Sequence, residues 1–162
     1  MYNSGMENKI LRVYVDSSVV SGVFDENDHP KRVAPFWRAV KRGAVRIVVS
    51  DVLVQEIDDA PEHVRDFFDS IPEAQIERIV ATDESEALAE KYIAEGIVSK
   101  NHLIDCEHVA LAAFAKVDVL VSFNCTHIVK LNRIRRYNAI NVLFDLPQIE
   151  IRTPDEVIHD DI

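Results

Sequence analysis

The sequence has few of the residues that mark secreted scaffolds or flexible linkers. Its two cysteines, Cys106 and Cys125, are too few for a disulfide framework, so we expect a reduced, cytoplasmic environment. Its four glycines and six prolines are scattered, which leaves no flexible linker. A length of 162 residues with 48% hydrophobic content then suits one compact domain with its own core.

Long hydrophobic runs are also missing. No apolar stretch approaches the roughly 20 residues that a membrane-spanning helix needs. Residues 1–9 are polar, so we expect no signal peptide and no membrane partner. These absences together predict a soluble protein of the cytoplasm.

Basic residues are fewer than acidic ones: the sequence has 18 Lys and Arg and 28 Asp and Glu, which gives a net charge of −10. This charge argues against a dominant electrostatic grip on nucleic acid, and the carboxylate excess suits either divalent metal binding or a solvated surface. A local basic cluster runs against the trend: Lys130, Arg133, Arg135 and Arg136. These cations suit either a phosphate backbone or the negative pole of a helix, and both interpretations stay open.

Short β-branched runs alternate with amphipathic segments along the chain. Strands are predicted over residues 11–15, 45–49, 76–80, 119–122 and 141–144. Helical segments are predicted over residues 17–23, 35–40, 51–57, 62–70, 83–92 and 128–136, from a cap at Ser99 or Asn101 to Phe114, and as a short start at 153–156. This alternation predicts right-handed βαβ crossovers, and hence a three-layer α/β/α sandwich around a mainly parallel five-stranded sheet. We divide the chain into a disordered lead-in at 1–10, a domain at 11–146, and a tail at 147–162 that packs on this domain or extends from it.

Three acidic residues occupy unusual positions in this pattern. Asp16 ends the first predicted strand, and ligands of open α/β sheets bind beyond the carboxyl ends of strands. Glu56 borders the buried face of the helix after the second strand, and Asp105 shares a helical stripe with Val109 and Ala112. Neighbouring carboxylates repel unless a cation holds them, and Mg²⁺ and Mn²⁺ prefer oxygen ligands. The plain alternatives are that Asp16 caps the next turn, Asp105 stabilises a helix start, and Glu56 is exposed.

Other candidate chemistry is weaker. Cys106 with His108, and Cys125 with His127, lack a standard zinc spacing, which favours a buried thiol beside a surface histidine. A cysteine–histidine nucleophile pair stays open. No G-x-G-x-x-G and no Walker A sequence occurs, which argues against Rossmann dinucleotide and P-loop nucleotide binding.

Four segments, taken in order, resemble the PIN-domain nucleases, and VapC-like toxin ribonucleases in particular. The first is VYVDSSV at 13–19, a strand that ends in an aspartate followed by Ser. The second is SDVLVQEI at 50–57, with its glutamate on the helix, and the third is IDCEHVALA at 104–112, an aspartate before an Ala-rich helix. The fourth is VLVSFN at 119–124. The resemblance covers about residues 11–144, and the tail at 153–154 also resembles stand-alone members.

The resemblance implies a metal-dependent ribonuclease, commonly the toxin of a bacterial or archaeal toxin–antitoxin pair. It further implies an RNA substrate, an antitoxin partner, a homodimer, and Mg²⁺ or Mn²⁺ as cofactor. Carried over by position, Asp16, Glu56 and Asp105 would form the acidic metal site. Asp16 and Asp105 would be direct ligands, and Glu56 a ligand or a base that orients water.

The departure from the family pattern is at the fourth position. Many members have an aspartate there, whereas this chain has Asn124, which offers a neutral oxygen, with His127 beyond it as a nitrogen donor. We expect this loss of charge to weaken a second metal or to shift the preference toward Mn²⁺; two tight Mg²⁺ ions in titration calorimetry would contradict it. The side chains expected to hydrogen-bond the carboxylates or the phosphate are Ser17, Ser122, Thr126 and His127.

The main alternative is a catalytically silent PIN-like domain that serves as a protein-interaction module. The net charge of −10 and the presence of Asn124 both favour this alternative somewhat. Two other aspartate-based α/β classes fit less well. Haloacid-dehalogenase-like phosphatases need an aspartate where Ser18 stands, and receiver domains need an acidic pair near the end of the first strand.

Overall fold

The computed structural model describes residues 9–159, so most of the lead-in predicted as disordered lies outside the described residues. Within them, a single sheet is formed by five parallel strands in the order β3-β2-β1-β4-β5. The strands are Leu11–Val15 (β1), Val45–Ser50 (β2), Ile76–Ile79 (β3), Val119–Val121 (β4) and Glu150–Arg152 (β5).

Helices connect these strands on both faces of the sheet. The α-helices are Ser17–Ser21 (α1), His29–Lys41 (α2), Asp51–Asp58 (α3), Glu62–Asp69 (α4), Asp83–Ala94 (α5), Leu103–Ala115 (α6), Leu131–Leu143 (α7) and Pro154–Val157 (α8). Short 3₁₀ turns add Gly22–Phe24, Glu73–Gln75 and Lys100–His102. None of the helices over residues 9–159 is long and apolar enough to cross a bilayer.

The central strand β1 is buried on both faces, as its nearly continuous apolar sequence requires in a parallel sheet. Val13 and Val15 point into a core with α2, α3 and α4. Tyr14, between them, points into a second core built with α5, α6 and α7. The arrangement confirms the predicted three-layer α/β/α sandwich.

The strand order reverses direction at β1. The chain moves outward from β1 to β2 and β3, then returns to the other side of β1 with β4 and continues to β5. Val15 is in register with Val121, so the residues that follow these two strands, Asp16 and Ser122, come out side by side. Ligands bind at this kind of switch point in open α/β sheets.

The prediction of a fifth strand at 141–144 is wrong, because these residues lie at the end of α7 and just after it. Asn141 is buried and accepts a hydrogen bond from Tyr92, whereas Leu143 is 73% exposed on the far side of the helix. The fifth strand is instead Glu150–Arg152, in the predicted tail. The predicted helix at 128–136 is also displaced, since α7 spans Leu131–Leu143.

Candidate functional site

Asp16 is the most buried acidic residue at the switch point, with 4% of its surface exposed. It occupies the N-cap position of α1, yet its side chain makes no capping bond, so the capping interpretation is wrong. Its Oδ1 accepts a hydrogen bond from the Ser18 hydroxyl, and its Oδ2 accepts one from the Ser122 hydroxyl, each at 2.5 Å. Hydroxyls on two neighbouring strand ends therefore fix both carboxylate oxygens.

Burial raises the pKa of Asp16 above its usual value, and the charge of Glu56 adds to this rise. His108 and the two serine hydroxyls act in the opposite direction. Among the described residues, Asp16 makes no ion pair with lysine or arginine. A buried carboxylate of this kind needs compensating positive charge when it is ionised.

Glu56 reaches the same region from α3. Ser50 caps this helix by accepting a hydrogen bond from the Leu53 amide at 3.1 Å. Glu56 lies farther along the helix, where its Oε2 accepts from the Ser17 hydroxyl at 3.1 Å. Because Ser17 directly follows Asp16, this bond ties the second carboxylate to the end of β1. The interpretation of Glu56 as a merely exposed helix residue is therefore wrong, and its side chain is 29% exposed.

His108 is the functional residue that the sequence interpretation misplaced, since the predicted surface histidine is 2% exposed. Its Nε2 lies 2.5 Å from Glu56 Oε1, and its Nδ1 lies 2.6 Å from the Tyr14 hydroxyl. The Tyr14 hydroxyl in turn lies 2.7 Å from Ser50 Oγ. A buried chain of hydrogen bonds thus runs from the cap of α3 to the Glu56 carboxylate.

Electrostatics favour the charged form of His108. Burial lowers its pKa, but the hydrogen bond and charge of Glu56, together with Asp16 and Asp105, raise it above its usual value. The imidazolium donates from both nitrogens, which suits the Tyr14 and Glu56 acceptors. The charges of all three predicted acidic ligands therefore raise the pKa of the same buried histidine.

Asp105 lies in the first turn of α6 and makes different contacts. Its Oδ2 is 3.4 Å from His127 Nδ1 and 3.8 Å from His102 Nδ1. The two imidazole rings stack with their centroids 3.6 Å apart. Over residues 9–159, this trio is the set of metal-ligating side chains whose ligand atoms all lie within 4.8 Å of one another. The three predicted acids do not form such a compact set.

Asn124 does not offer a free oxygen. Its Oδ1 accepts hydrogen bonds from the main-chain amides of Thr126 at 3.2 Å and His127 at 2.9 Å. The main-chain amide of Asn124 donates to Ser122 Oγ at 2.9 Å. Asn124 therefore holds the turn that presents His127, and Thr126 contributes through its main chain.

The basic cluster is divided between tethered and exposed side chains. Arg133 donates to the main-chain carbonyls of Thr126, at 2.8 Å, and Ile97. Arg136 donates to the main-chain carbonyls of Glu95 and Gly96. Lys130 and Arg135 are exposed.

All four basic residues lie at or near the N-terminal end of α7, where the helix dipole is positive. The interpretation of these cations as a helix end at the negative pole is therefore wrong. The pKa of His127 is lowered first by burial and by the charge of His102, and Arg133 and Lys130 add smaller contributions, which sets these two cations near Asp105 and its two histidines.

The cysteines give no sign of a nucleophilic site. Cys106 is buried, and burial raises its pKa to about 12, which disfavours the reactive thiolate. Cys125 is exposed rather than buried, contrary to prediction. Neither thiol is hydrogen-bonded to a histidine among the described residues.

Comparison with known proteins gives a likeness in fold alone. No protein-family model matches the sequence, and no curated protein matches it. Among solved structures, the chain is similar to Mycobacterium tuberculosis VapC20, a Sarcin-Ricin loop cleaving toxin. The TM-score is 0.53 at 12% identity, over 71% of this chain and 92% of that one. It is also similar to VapBC2 from Rickettsia felis, solved bound to a DNA fragment from their promoter. Here the TM-score is 0.56 at 12% identity, over 88% of this chain and 98% of that one.

The chain thus has a PIN-like, VapC-like fold, as its four sequence segments predicted.

Proposed function

We propose that this protein is a metal-dependent endoribonuclease and the toxin of a toxin–antitoxin pair. The observation that carries the proposal is the buried Asp16 carboxylate at the switch point, fixed by two hydroxyls and adjacent to Glu56. The fold is shared with VapC20, which is described as a toxin that cleaves the Sarcin-Ricin loop. A fold hosts many activities, so the site has to carry the functional argument.

The donor set fits a hard divalent cation. Asp16 is an ionisable group in a desolvated position that makes no ion pair with lysine or arginine among residues 9–159, and Glu56 adds a second negative charge beside it, so the one imidazolium of His108 faces two carboxylates. Mg²⁺ or Mn²⁺ held by Asp16, Glu56 and Asp105 would offset both the desolvation of the Asp16 carboxylate and its repulsion by Glu56. When bound, such a cation activates water and neutralises charge that develops on the phosphate.

The remaining side chains position these groups. Ser18 and Ser122 orient Asp16, and His108 orients Glu56 from its buried side. Glu56 would hold the metal or accept a proton from the attacking water. Ser17 keeps Glu56 near the end of β1.

Recognition of the RNA would come from the exposed basic residues and from the shape of the substrate. Lys130 and Arg135 are free to contact phosphates, because their side chains are exposed. Proteins read RNA sequence mainly in single strands and loops, so we expect cleavage there. A cognate antitoxin, a homodimeric state and a cytoplasmic location complete the proposal. The Rickettsia felis VapBC2 structure supports a two-component system.

A silent interaction module is the second candidate. Both Asp16 oxygens already have hydroxyl partners, and the oxygen of Asn124 is engaged by two amides. These contacts would hold the fold together without any metal. This alternative predicts no metal-dependent cleavage and little effect of Asp16→Asn on the binding of a protein partner.

The test is cleavage of a mixed-structure RNA by purified protein in Mg²⁺, Mn²⁺ or EDTA. We expect cutting that needs metal and that Asp16→Asn and Asp105→Asn each lower by at least about 100-fold, equivalent to the several kcal/mol that a bound metal supplies. Asp66→Asn, an exposed acid on α4, is the matched control and should cut normally. Absence of cutting by folded protein with either metal would favour the silent module.

A further inference from the structure

We propose that His102, Asp105 and His127 form a binding site for one divalent transition-metal ion of the Zn²⁺ type. The site shares Asp105 with the proposed nuclease centre, and its role in cleavage rests on the proposed function. Metal binding by the trio is a separate property, which is measured without RNA.

The distances within the trio fit metal ligands better than hydrogen bonds. Nδ1 of His127 and Nδ1 of His102 lie 3.4 Å and 3.8 Å from the same oxygen, Asp105 Oδ2. An N–H···O hydrogen bond is usually about 2.7–3.2 Å long. Ligands bound to Zn²⁺ at about 2.0–2.2 Å in a tetrahedral arrangement lie about 3.3–3.6 Å apart. All three ligand atoms of the trio also lie within 4.8 Å of one another.

The trio joins two parts of the chain, the start of α6 and the turn after β4. His102 ends the 3₁₀ turn Lys100–His102, and Asp105 lies in the first turn of α6. His127 follows β4 in the turn that Asn124 fixes, and its carbonyl accepts a hydrogen bond from the Tyr137 hydroxyl at 2.8 Å. This support fixes the main chain of His127 before any ion arrives, and the start of α6 fixes the main chain of Asp105.

The imidazole nitrogens are available. Among the described residues, neither ring of the stacked pair donates or accepts a hydrogen bond with another side chain, in contrast to His108 and His29. The side chains of His102, Asp105 and His127 are 36%, 23% and 22% exposed. An ion can thus enter from solvent and keep an open position, as catalytic zinc sites with three protein ligands do.

The ligand chemistry selects the class of metal. Two nitrogens and one carboxylate suit Zn²⁺ and neighbouring transition ions, whereas Mg²⁺ prefers an all-oxygen set. Asn124 is consistent with this choice. Its side-chain oxygen accepts a hydrogen bond from the main chain of His127, whereas an aspartate at this position would supply an oxygen ligand. The chain thus has nitrogen ligands beside a carboxylate centre.

The experiment titrates metal-stripped protein with Co²⁺, read by visible absorption, and with Zn²⁺, read by calorimetry. We expect one tight Co²⁺ with the intense absorption of a tetrahedral ion, displaced by Zn²⁺. His102→Ala and His127→Ala should each weaken binding by at least the roughly 10–100-fold that loss of an outer partner costs a metal site. His63→Ala, which removes an exposed histidine of α4, is the matched control and should bind as the wild type does.

A second readout uses the wild type alone, so that it does not depend on how well the variants fold. Zn²⁺ should shift the ¹⁵N resonances of two imidazole rings and leave that of His108 in place. Binding that both histidine variants retain, or Zn²⁺ that shifts no pair of rings, would overturn the site. Binding as predicted in a protein that cuts no RNA would reject the proposed nuclease and leave the metal site standing.

Discussion

The carboxyl end of the sheet has a buried half and a rim half, and the two treat their charges differently. The buried half contains Asp16 and His108, and there Asp16 and the partly exposed Glu56 use all four of their oxygens in hydrogen bonds to serines and His108. In the rim half, Asp105 faces His102 and His127 across gaps longer than a hydrogen bond. Buried charges such as those of Asp16 and His108 must be satisfied internally, whereas the partly exposed Asp105 has room for solvent or a ligand.

This difference indicates which side chains of the site stabilise the fold before any metal binds. The buried half carries its own counter-ion, the imidazolium of His108, and is linked to the cap of α3 through Tyr14. The rim half has no such internal link. We therefore expect stability to depend on the buried half and metal selectivity to depend on the rim.

Replacing His108 should produce the largest loss of stability. His108→Ala removes the partner of the buried Tyr14 hydroxyl and of the partly exposed Glu56 Oε1, and leaves a cavity. We expect a fall of about 3 kcal/mol in the free energy of unfolding, measured by urea denaturation. His127→Ala on the rim is the contrast and should change it by no more than about 0.5–1 kcal/mol. Equal losses in the two variants would remove the distinction between the halves.

Replacing Asp16 should separate function from stability. The raised pKa of Asp16 means that its ionised form disfavours the folded state at neutral pH, and that this penalty is relieved as pH falls toward the usual value of 3.8. Asp16→Asn removes the charge and should stabilise metal-free protein by about 0.5–2 kcal/mol while abolishing cleavage. A destabilised variant in urea unfolding would show that the hydroxyl bonds to the anion outweigh its desolvation.

The pH dependence of stability should also report on the buried half. The pKa of His108 is raised above its usual 6.5, so its stabilising contribution is complete below pH 6.5 and is lost as pH rises through the folded value. We expect the unfolding free energy of metal-free protein to fall as the pH rises above about 6.5, with a smaller slope in His108→Gln. A flat profile in the wild type would contradict the charged state of His108. The charged and titratable groups around this histidine are Tyr14, Asp16, Glu56, Asp105 and Glu107.

The smallest expected effects distinguish two arginines of the basic cluster. Arg133→Ala removes donors to the carbonyls of Thr126 and Ile97 and should cost about 1–2 kcal/mol of stability. Arg135→Ala removes an exposed side chain and should leave stability within about 0.5 kcal/mol. It should instead reduce the salt dependence of RNA binding by about 0.7 in log–log slope, as loss of one contact to a single strand does. An unchanged slope in fluorescence anisotropy would remove Arg135 from the RNA surface.

The sequence predicted the sandwich because its central strands are apolar on both faces, as in Val13 to Val15. It failed at the edge of the sheet. β5 has one buried apolar residue, Ile151, between two charged ones, so it carries no strand pattern. The run at 141–144 looked like a strand because tertiary packing, which fixes Asn141 through Tyr92, is not visible in local composition.

The sequence also indicated Asp16, Glu56 and Asp105 as site residues, but it did not indicate which histidines contact them. The helix α6 is buried on most of its faces, and that composition was the available signal that His108 would be buried too. The contact of His102 with His127 could not be foreseen, because 24 intervening residues, from 103 to 126, include all of α6 and β4. Such long-range pairs depend on the fold rather than on spacing along the chain.

The central claim is that the carboxylates at the switch point hold a hard divalent cation. The direct measurement is the unfolding free energy of wild type and Asp16→Asn, each with and without saturating Mg²⁺ or Mn²⁺. A cation at about 100 times its dissociation constant should stabilise the wild type by about 2.7 kcal/mol, and this gain should be lost in the variant. Equal stabilisation of both proteins, or none in the wild type with either ion, would contradict the claim.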